Sequence, residues 1–328
     1  MKYFDPGDYT NSGFYIPDNL ELNWNYCDNT VYYPTEIAGF LERIKPLPGQ
    51  TVVIWGAANR LTNYAGCIEA VNQYAAQIPN CVIVFDGNYS TNNVDARTFT
   101  YAQIPYFEHV ARCTWDQVEL PATRTKTFMM IGTKDYPTRK YLLSRIVAAG
   151  ADADALISYK QINSNGINLM YYTQHQIDAI NQVADQVNSR LPWPVLDRSI
   201  EFPQMPRQFL LDTYINLVTD TFFEGDVFVS EKVYTAMAHG QIFVMLAPCG
   251  TLAYLRSQGY RTFGDHIDES YDAIQDNYTR LQAVADLIIN LSQQDLADLA
   301  TKCQEVLLHN YNTFYQRNVN DQFLKQLT

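Results

Sequence analysis

The sequence predicts an α/β protein made of two doubly wound domains that face a cleft. Three observations carry this. Short continuous apolar runs alternate with longer stretches of helical spacing through both halves of the chain. The apolar runs are not interleaved with polar residues, which is the pattern of parallel strands covered on both faces. At 328 residues the chain is long for a single core and suited to two.

Residues 1–50 are rich in loops and aromatics, with helical spacing at Thr35–Ile44. Thr51–Trp55 (TVVIW) reads as a buried strand, Gly56–Arg60 as a turn and Leu61–Gln77 as a helix. Cys81–Phe85 (CVIVF) is a second buried strand that runs into Asp86, Gly87 and Asn88, and residues 88–123 are less regular. The polar stretch Pro121–Thr125 is the candidate linker. The domains are therefore placed at 1–123 and 124–328, with the last helix a candidate to cross back.

In the second domain Lys126–Ile131 is a strand, Gly132–Pro137 a loop, and Thr138–Ala149 a helix stopped by Gly150. Ala155–Ser158 is a strand and Gln174–Arg190 a helix. Pro192, Pro194, Pro203 and Pro206 break up residues 191–207. Tyr214–Thr219 and Ile242–Leu246 are strands, and Ser230–His239, Thr251–Gln258, Leu281–Leu291 and Leu296–Leu308 are helices.

Composition narrows the function. A net charge of −12 with no basic run disfavours nonspecific coating of a nucleic acid, though it leaves room for a local basic seat for a diphosphate. The cysteines (Cys27, Cys67, Cys81, Cys113, Cys249 and Cys303) form no CxxC pair, and Cys81 and Cys249 read as buried thiols. The beginning of the chain lacks a basic-then-apolar signal, and the longest apolar run, Ile242–Pro248, is too short to span a bilayer. A cytoplasmic protein without a membrane span is expected.

The chemistry concentrates in residues 214–250. The strand Tyr214–Thr219 leads through a polar loop into Val229-Ser230-Glu231-Lys232, which opens an amphipathic helix. Ser230 is a credible N-cap. The helix start presents free N–H groups and the positive end of a dipole, and Lys232 adds a charge in the first turn, which suits a diphosphate. Glu231 is placed to accept from ribose hydroxyls. Taken alone, the same string also fits a capped surface helix with an ordinary first-turn glutamate.

Three segments carry a resemblance: Ile215–Thr221 (INLVTDT), Phe228–Val233 (FVSEKV) and Ala238–Val244 (AHGQIFV). Together they resemble the donor-site core of fucosyltransferase-like GT-B glycosyltransferases, with their TEK-type motif. They look closer still to uncharacterised glycosyltransferase-like proteins of phages and marine bacteria. Leu255–Phe263 (LRSQGYRTF), Asp268–Asp272 (DESYD), Arg280, Thr127–Gly132 (TFMMIG) and Arg139–Leu143 (RKYLL) extend it, so that it covers about residues 126–315. Asp220 stands where the family usually has Glu, Ser230 where Thr is commoner, and Phe243 near a favoured Pro.

The resemblance implies a GT-B-like fold of two Rossmann-like domains. Residues 1–123 would bind the acceptor and residues 124–328 the nucleotide sugar. It implies an inverting, metal-independent hexosyl- or pentosyltransferase that needs no cofactor beyond its nucleotide-sugar co-substrate. The acceptor would be a hydroxymethylated phage DNA base, lifted from its stack, or a surface glycan. Arg139 would contact the donor phosphates, Lys232 would neutralise the departing diphosphate and Glu231 would hold the ribose. Asp220 and Thr221 would touch the sugar, and Ser158 and Lys160 the base or ribose. Arg256 and Arg280 read as structural partners of nearby acids, and Asp268, Glu269 and Asp272 as a turn cluster that pins the next helix.

A general base is expected from the first domain, and Asp86, at the carboxyl end of a buried strand, is the first choice. Capping of the Gly87–Asn88 turn is the other account of it, and Asp95, Glu108 and His109 are weaker candidates. Asp152 and Asp154 spell the DxD of metal-dependent glycosyltransferases but precede a strand, the wrong end for a ligand in an open α/β sheet. No HExxH, GxGxxG, Walker A or GxSxG motif occurs. A GT-B scaffold that has lost catalysis and serves as a binding or virion-associated protein is the alternative class.

Overall fold

The computed structural model describes residues 2–4, 14–16, 22–27, 51–56, 81–86, 100–104, 106–132, 136–159, 172–184, 206–220, 222–225 and 227–318. The chain divides into two compact units, residues 1–113 with 317–328, and residues 114–316. The class is α/β, with a parallel sheet in each unit.

In the first unit, β1 (Lys2–Phe4) and β2 (Phe14–Ile16) pair antiparallel, Tyr3 opposite Tyr15. β3 (Leu22–Cys27), β4 (Thr51–Gly56), β5 (Cys81–Asp86) and β6 (Thr100–Ile104) form a parallel sheet in chain order. Val53 of β4 lies between Trp24 of β3 and Val82 of β5. β4 and β5 are the two apolar runs read as buried strands, and they take the centre. β3 and β6, which fall in stretches read as loop-rich or irregular, take the edges, where strands tolerate polar residues such as Asn23 and Asn25. The helices expected at Thr35–Ile44 and Leu61–Gln77 lie outside the described residues. α1 (Tyr106–Thr114) carries Glu108, which is buried and bonded to Arg112 at 2.7 Å and to Arg317 at 3.4 Å. The chain beyond 316 thus belongs with this unit.

The second unit holds β7 (Lys126–Gly132), α2 (Pro137–Ala148), β8 (Leu156–Tyr159), α3 (Gln174–Ala184), α4 (Arg207–Asp212), β9 (Thr213–Thr219), α5 (Glu231–Ala238) and β10 (Ile242–Leu246). It continues with α6 (Thr251–Ser257), a 3-10 turn (Ser270–Ala273), α7 (Asn277–Ser292), α8 (Leu296–Lys302) and α9 (Gln304–Gln316). The sheet is parallel, in the order β10-β9-β7-β8. Every residue of β10 is buried, as are Phe128, Met129 and Met130 of β7, so both faces of the sheet are covered. α2 packs against α3 and α7, and α9 against α5.

Strand order reverses once. From β7 the chain steps outward to β8, then returns to the other side of β7 for β9 and β10. The carboxyl ends of β7 and β9 therefore flank the point where the loops diverge, the place where open α/β sheets hold ligands.

Tyr106–Thr114 is helical within a stretch read as less regular, the helix expected from Leu281 starts at Asn277, and two further differences have a local cause. The run Leu296–Leu308 is broken at Cys303, which caps α8 and is itself buried, so two short helices replace one. α4 forms directly after Pro206, inside the stretch expected to be broken, because a proline at the N-cap is compatible with a helix that starts after it.

The candidate linker is fastened down. Arg124 donates through Nη1 to the carbonyls of Leu210 (2.7 Å), Leu211 (3.1 Å) and Thr213 (2.9 Å), and through Nη2 to those of His239 (2.6 Å) and Gly240 (3.0 Å). One guanidinium thereby satisfies orphan carbonyls at the ends of α4 and α5, where a cation also complements the helix dipoles. Gly240, at φ +57°, leaves room for Leu120, whose Cδ1 lies 2.7 Å from where a Cβ would stand. Trp115 Nε1 donates to Thr235 Oγ1 at 3.0 Å, and Tyr311 Oη donates to the Val118 carbonyl at 2.5 Å. Arg124→Ala is expected to cost about 2–4 kcal/mol, read as a lower urea midpoint at unchanged m-value, with Arg124→Lys recovering only part. An unchanged midpoint in the alanine variant would show the five contacts to be incidental.

Candidate functional site

The site grows from the end of β7. Gly132 closes that strand against the ring of Tyr159, and a Cβ there would stand 2.9 Å from Tyr159 Cδ2. Tyr159, fully buried at the end of β8, accepts from the Tyr136 N–H at 3.1 Å and donates to its carbonyl at 3.3 Å. Tyr136 is the N-cap of α2 and lacks a side-chain cap bond, so the phenol fixes the start of the helix. Three residues on, the Arg139 guanidinium lies 4.6 Å from the Tyr136 ring centroid.

Arg139 is 4% exposed, and its Nη2 donates to the carbonyls of Thr219 (2.8 Å) and Asp220 (2.7 Å). Burial lowers its pKa, with partial compensation from Tyr159, Tyr136, Asp220 and Glu231. The guanidinium is thus committed to the backbone at the end of β9, and brings a positive charge to the strand reversal without offering its face to solvent.

Asp220 follows β9 and is 3% exposed. Its N–H donates to the Leu246 carbonyl at 3.2 Å, extending the β9–β10 pairing by one residue. Oδ1 accepts a short hydrogen bond from Ser230 Oγ, and Oδ2 has no hydrogen-bond partner. Burial pushes the carboxyl up to about 6, although the Lys232 charge and the Ser230 hydroxyl pull the other way.

Ser230 is the N-cap of α5, with extended backbone at φ −92° and ψ 177°. Its Oγ accepts from the Lys232 N–H at 3.4 Å and from Lys232 Nζ at 3.3 Å. Nζ also donates to Glu231 Oε1 at 2.8 Å. The side chain of Lys232 is 29% exposed, and that of Glu231 13%. One hydroxyl therefore links a buried acid, a helix N-terminus and a partly exposed ammonium.

Of the residues singled out from the sequence, Arg139, Asp220, Ser230, Glu231 and Lys232 come together. Ser158 is buried in β8, opposite Ile131 of β7. Lys160 and Thr221 lie outside the described residues. Asp86 ends β5 in the first unit, paired with Ile104, and its side chain lies outside the described residues, as do Asp95 and the side chain of His109. Glu108 is already engaged by two arginines. Asp152 and Asp154 occupy the turn before β8, at the amino edge of the sheet, where Lys126 stands 4.0 Å from Asp154.

The surrounding loops are held mainly by backbone acceptors. Arg280 is 1% exposed, and its partners are carbonyls rather than the nearby acids: Ala247 (3.2 Å), Ile274 (2.6 Å), Gln275 (3.4 Å) and Phe223 (2.8 Å), besides Asn277 Oδ1. Its guanidinium lies 4.5 Å from the Phe223 ring centroid, and Tyr172 Oη donates to Glu224 at 2.6 Å, so the loop between β9 and α5 is tied at two points. Arg256 does meet an acid, Glu269, at 3.3 Å. Asp272 accepts from Leu252 N (2.9 Å) and Ala253 N (3.1 Å), and so caps the preceding helix α6; Asp276 caps the following helix α7. His239 is buried with Nδ1 at 2.8 Å from the Thr235 carbonyl, and burial pushes it down to about 4. Cys249 and Cys303 are free thiols, and Cys249 is half-buried rather than buried.

The sequence assigns no site role to Gly132, Tyr136 or Tyr159. A glycine closing an apolar strand was the available signal; the tyrosines gave none. Among the described residues, no group of three or more His, Cys, Asp or Glu has the arrangement to hold a metal ion. No helix among them is long and apolar enough to cross a membrane.

No protein-family model and no curated protein matches the chain. Among solved structures it is similar to a DNA-modifying β-glucosyltransferase, determined in the presence and absence of its substrate uridine diphosphoglucose. The identity is 12%, the match covers 88% of this chain and 84% of that one, and the TM-score is 0.38.

The raised Asp220 carboxyl has a consequence for stability. Between about pH 4 and pH 6 the folded chain keeps a proton on Asp220 that the unfolded chain has released, so this group lowers stability as pH rises through that window. Asp220→Asn removes the dependence. The stability of the variant relative to the parent is expected to rise by up to about 3 kcal/mol from pH 4 to pH 7 and then level off, measured by urea unfolding across the range. A difference that stays constant with pH would contradict the assignment.

Proposed function

We propose that the chain is a glycosyltransferase of GT-B type, which moves a sugar from a nucleotide-sugar donor to an acceptor hydroxyl and seats the donor at the β7/β9 reversal. The observation that carries the reading is the linked set Asp220, Ser230, Glu231 and Lys232 at the start of α5, with Arg139 beneath it. The resemblance of residues 126–315 to fucosyltransferase-like enzymes, with the TEK-type string falling on this set, supports the reading.

The chemistry follows from charge. The diphosphate leaves with the bonding electron pair of the anomeric C–O bond, and its negative charge grows in the transition state. Lys232 Nζ and the positive end of the α5 dipole supply fixed positive charge there, and the buried Arg139 adds to the potential. This accounts for leaving-group stabilisation without a metal ion. Glu231 offers acceptors to the ribose, Thr221 is proposed to touch the sugar, and Ser158 and Lys160 the base or ribose. In an inverting transfer the acceptor oxygen attacks the anomeric carbon from the opposite face as its proton passes to a base, for which Asp86 is the proposed residue. The acceptor is proposed to be a hydroxymethylated DNA base or a surface glycan, and the first unit to bind it.

Titration calorimetry with UDP, GDP, CMP and dTDP, without metal, tests the donor site. One nucleotide is expected to bind at micromolar strength, and Lys232→Ala to weaken it by about 10- to 100-fold, or roughly 1.4–2.8 kcal/mol. If none binds, with or without Mg²⁺ or Mn²⁺, the glycosyltransferase reading fails.

A further inference from the structure

Asp220 has an arrangement that the transfer chemistry above does not use. Only 3% of the residue is exposed, and its Oδ2 is buried. Ser230 Oγ donates to Oδ1, while no donor reaches Oδ2. An ionised oxygen so placed loses its hydration without replacement, which favours the neutral form. The charged groups that oppose or reinforce this come from two helices: Lys232 and Glu231 from α5, and Arg139 from α2. β10 contributes the Leu246 carbonyl, which takes the Asp220 N–H. Tyr136 and Tyr159 flank Arg139 on its other side.

Among these groups the Lys232 charge opposes the effect of burial most strongly. Its ammonium is one hydroxyl away, since Ser230 Oγ contacts both Asp220 Oδ1 and Lys232 Nζ, the latter at 3.3 Å. A diphosphate at the start of α5 meets the same ammonium. It neutralises the charge that keeps Asp220 ionised, and adds negative charge on the same side of the carboxyl. Both effects favour protonation.

We infer that seating a diphosphate at the start of α5 draws a proton from solvent onto Asp220, so that donor binding and protonation of this buried carboxyl are coupled. The inference rests on the nucleotide-sugar reading of the site. With the carboxyl already raised to about 6, a modest further rise brings it close to neutrality. Ser230 is the positioning residue of the coupling, because its hydroxyl joins the acid to the ammonium. A nucleotide sugar is the fitting probe: its diphosphate is a diester, with no proton that titrates near neutrality, so a proton taken up on binding belongs to the protein.

The experiment is calorimetric titration of the full chain with UDP-glucose, GDP-mannose and dTDP-glucose at pH 6.5, in buffers of different ionisation enthalpy. For the sugar nucleotide that binds, an uptake of about half a proton is expected, with affinity tightening about threefold per unit fall in pH. Asp220→Asn is expected to abolish both the uptake and the pH slope. As a check that needs no variant, infrared difference spectra of the parent are expected to gain a protonated-carboxyl band on binding. Binding with equal heats in every buffer and no such band overturns the coupling while leaving the donor site intact. Uptake that persists in Asp220→Asn assigns the proton elsewhere and also overturns it. If no nucleotide sugar binds, the glycosyltransferase reading fails and the coupling fails with it.

Discussion

A parallel sheet that reverses its strand order leaves backbone carbonyls at the reversal that no neighbouring strand takes up. In the second unit this point falls between β7 and β9, and the carbonyls of Thr219 and Asp220 are taken by Arg139 Nη2. The strand end from which the candidate site starts depends on that contact. It sets where β9 ends and therefore where the Asp220 carboxyl begins. It also requires α2 to start at one angle, which the Tyr159 phenol enforces by gripping both the N–H and the carbonyl of Tyr136. Gly132 is part of the same constraint, since the ring of Tyr159 occupies the space of a Cβ.

The buried guanidinium and the buried carboxyl are not a simple ion pair. Arg139 touches the Asp220 backbone, whereas the Asp220 side chain turns to Ser230 at the start of α5. A direct bidentate pair would quench both charges. The arrangement found leaves the guanidinium field directed along the strand end and the carboxyl free to respond to Lys232. The helix N-terminus is thus flanked by two acids, Asp220 and Glu231, and by two cations, one buried and one partly exposed. Such a near-balanced group is sensitive to one added anion, which suits the diphosphate seat proposed above.

Most of the second unit is legible because its strands are continuous apolar runs, even β10 at the sheet edge, where every residue is buried: Lys126–Ile131, Tyr214–Thr219 and Ile242–Leu246 all lie within one residue of β7, β9 and β10. The N-cap at Ser230 was equally legible, since a serine before a helical run has a local cause. The edge strands β3 and β6 were not, because an edge position relaxes the demand for apolar residues and Leu22–Cys27 interleaves asparagines with its apolar side chains. Within the site, Glu231 and Lys232 declared themselves by string, whereas Tyr136 and Tyr159 act through contacts set by strand pairing, which no local pattern reveals. Arg280 was read as a partner of acids because acids are its neighbours in sequence. The fold instead gives it carbonyls from four residues, and those depend on how loops converge in space.

Arg280 points to a rule that also covers Arg124 and Arg139. In an acidic protein, with 23 basic residues against 35 acidic ones, all three of these arginines are turned to backbone carbonyls. A guanidinium suits this because its planar fork of donors reaches several acceptors at once and its charge is retained even when burial lowers its pKa, as at Arg124, to about 10. Lysine, a single flexible ammonium, does this poorly but meets an incoming anion well. The division of labour in the second unit follows. The arginines hold strand and helix ends where the sheet and its loops leave orphan carbonyls, and Lys232 carries the charge that faces outward at the start of α5. Loss of an arginine should therefore register first as loss of fold, and loss of Lys232 as loss of ligand, even though Arg139 and Lys232 act on the same carboxyl.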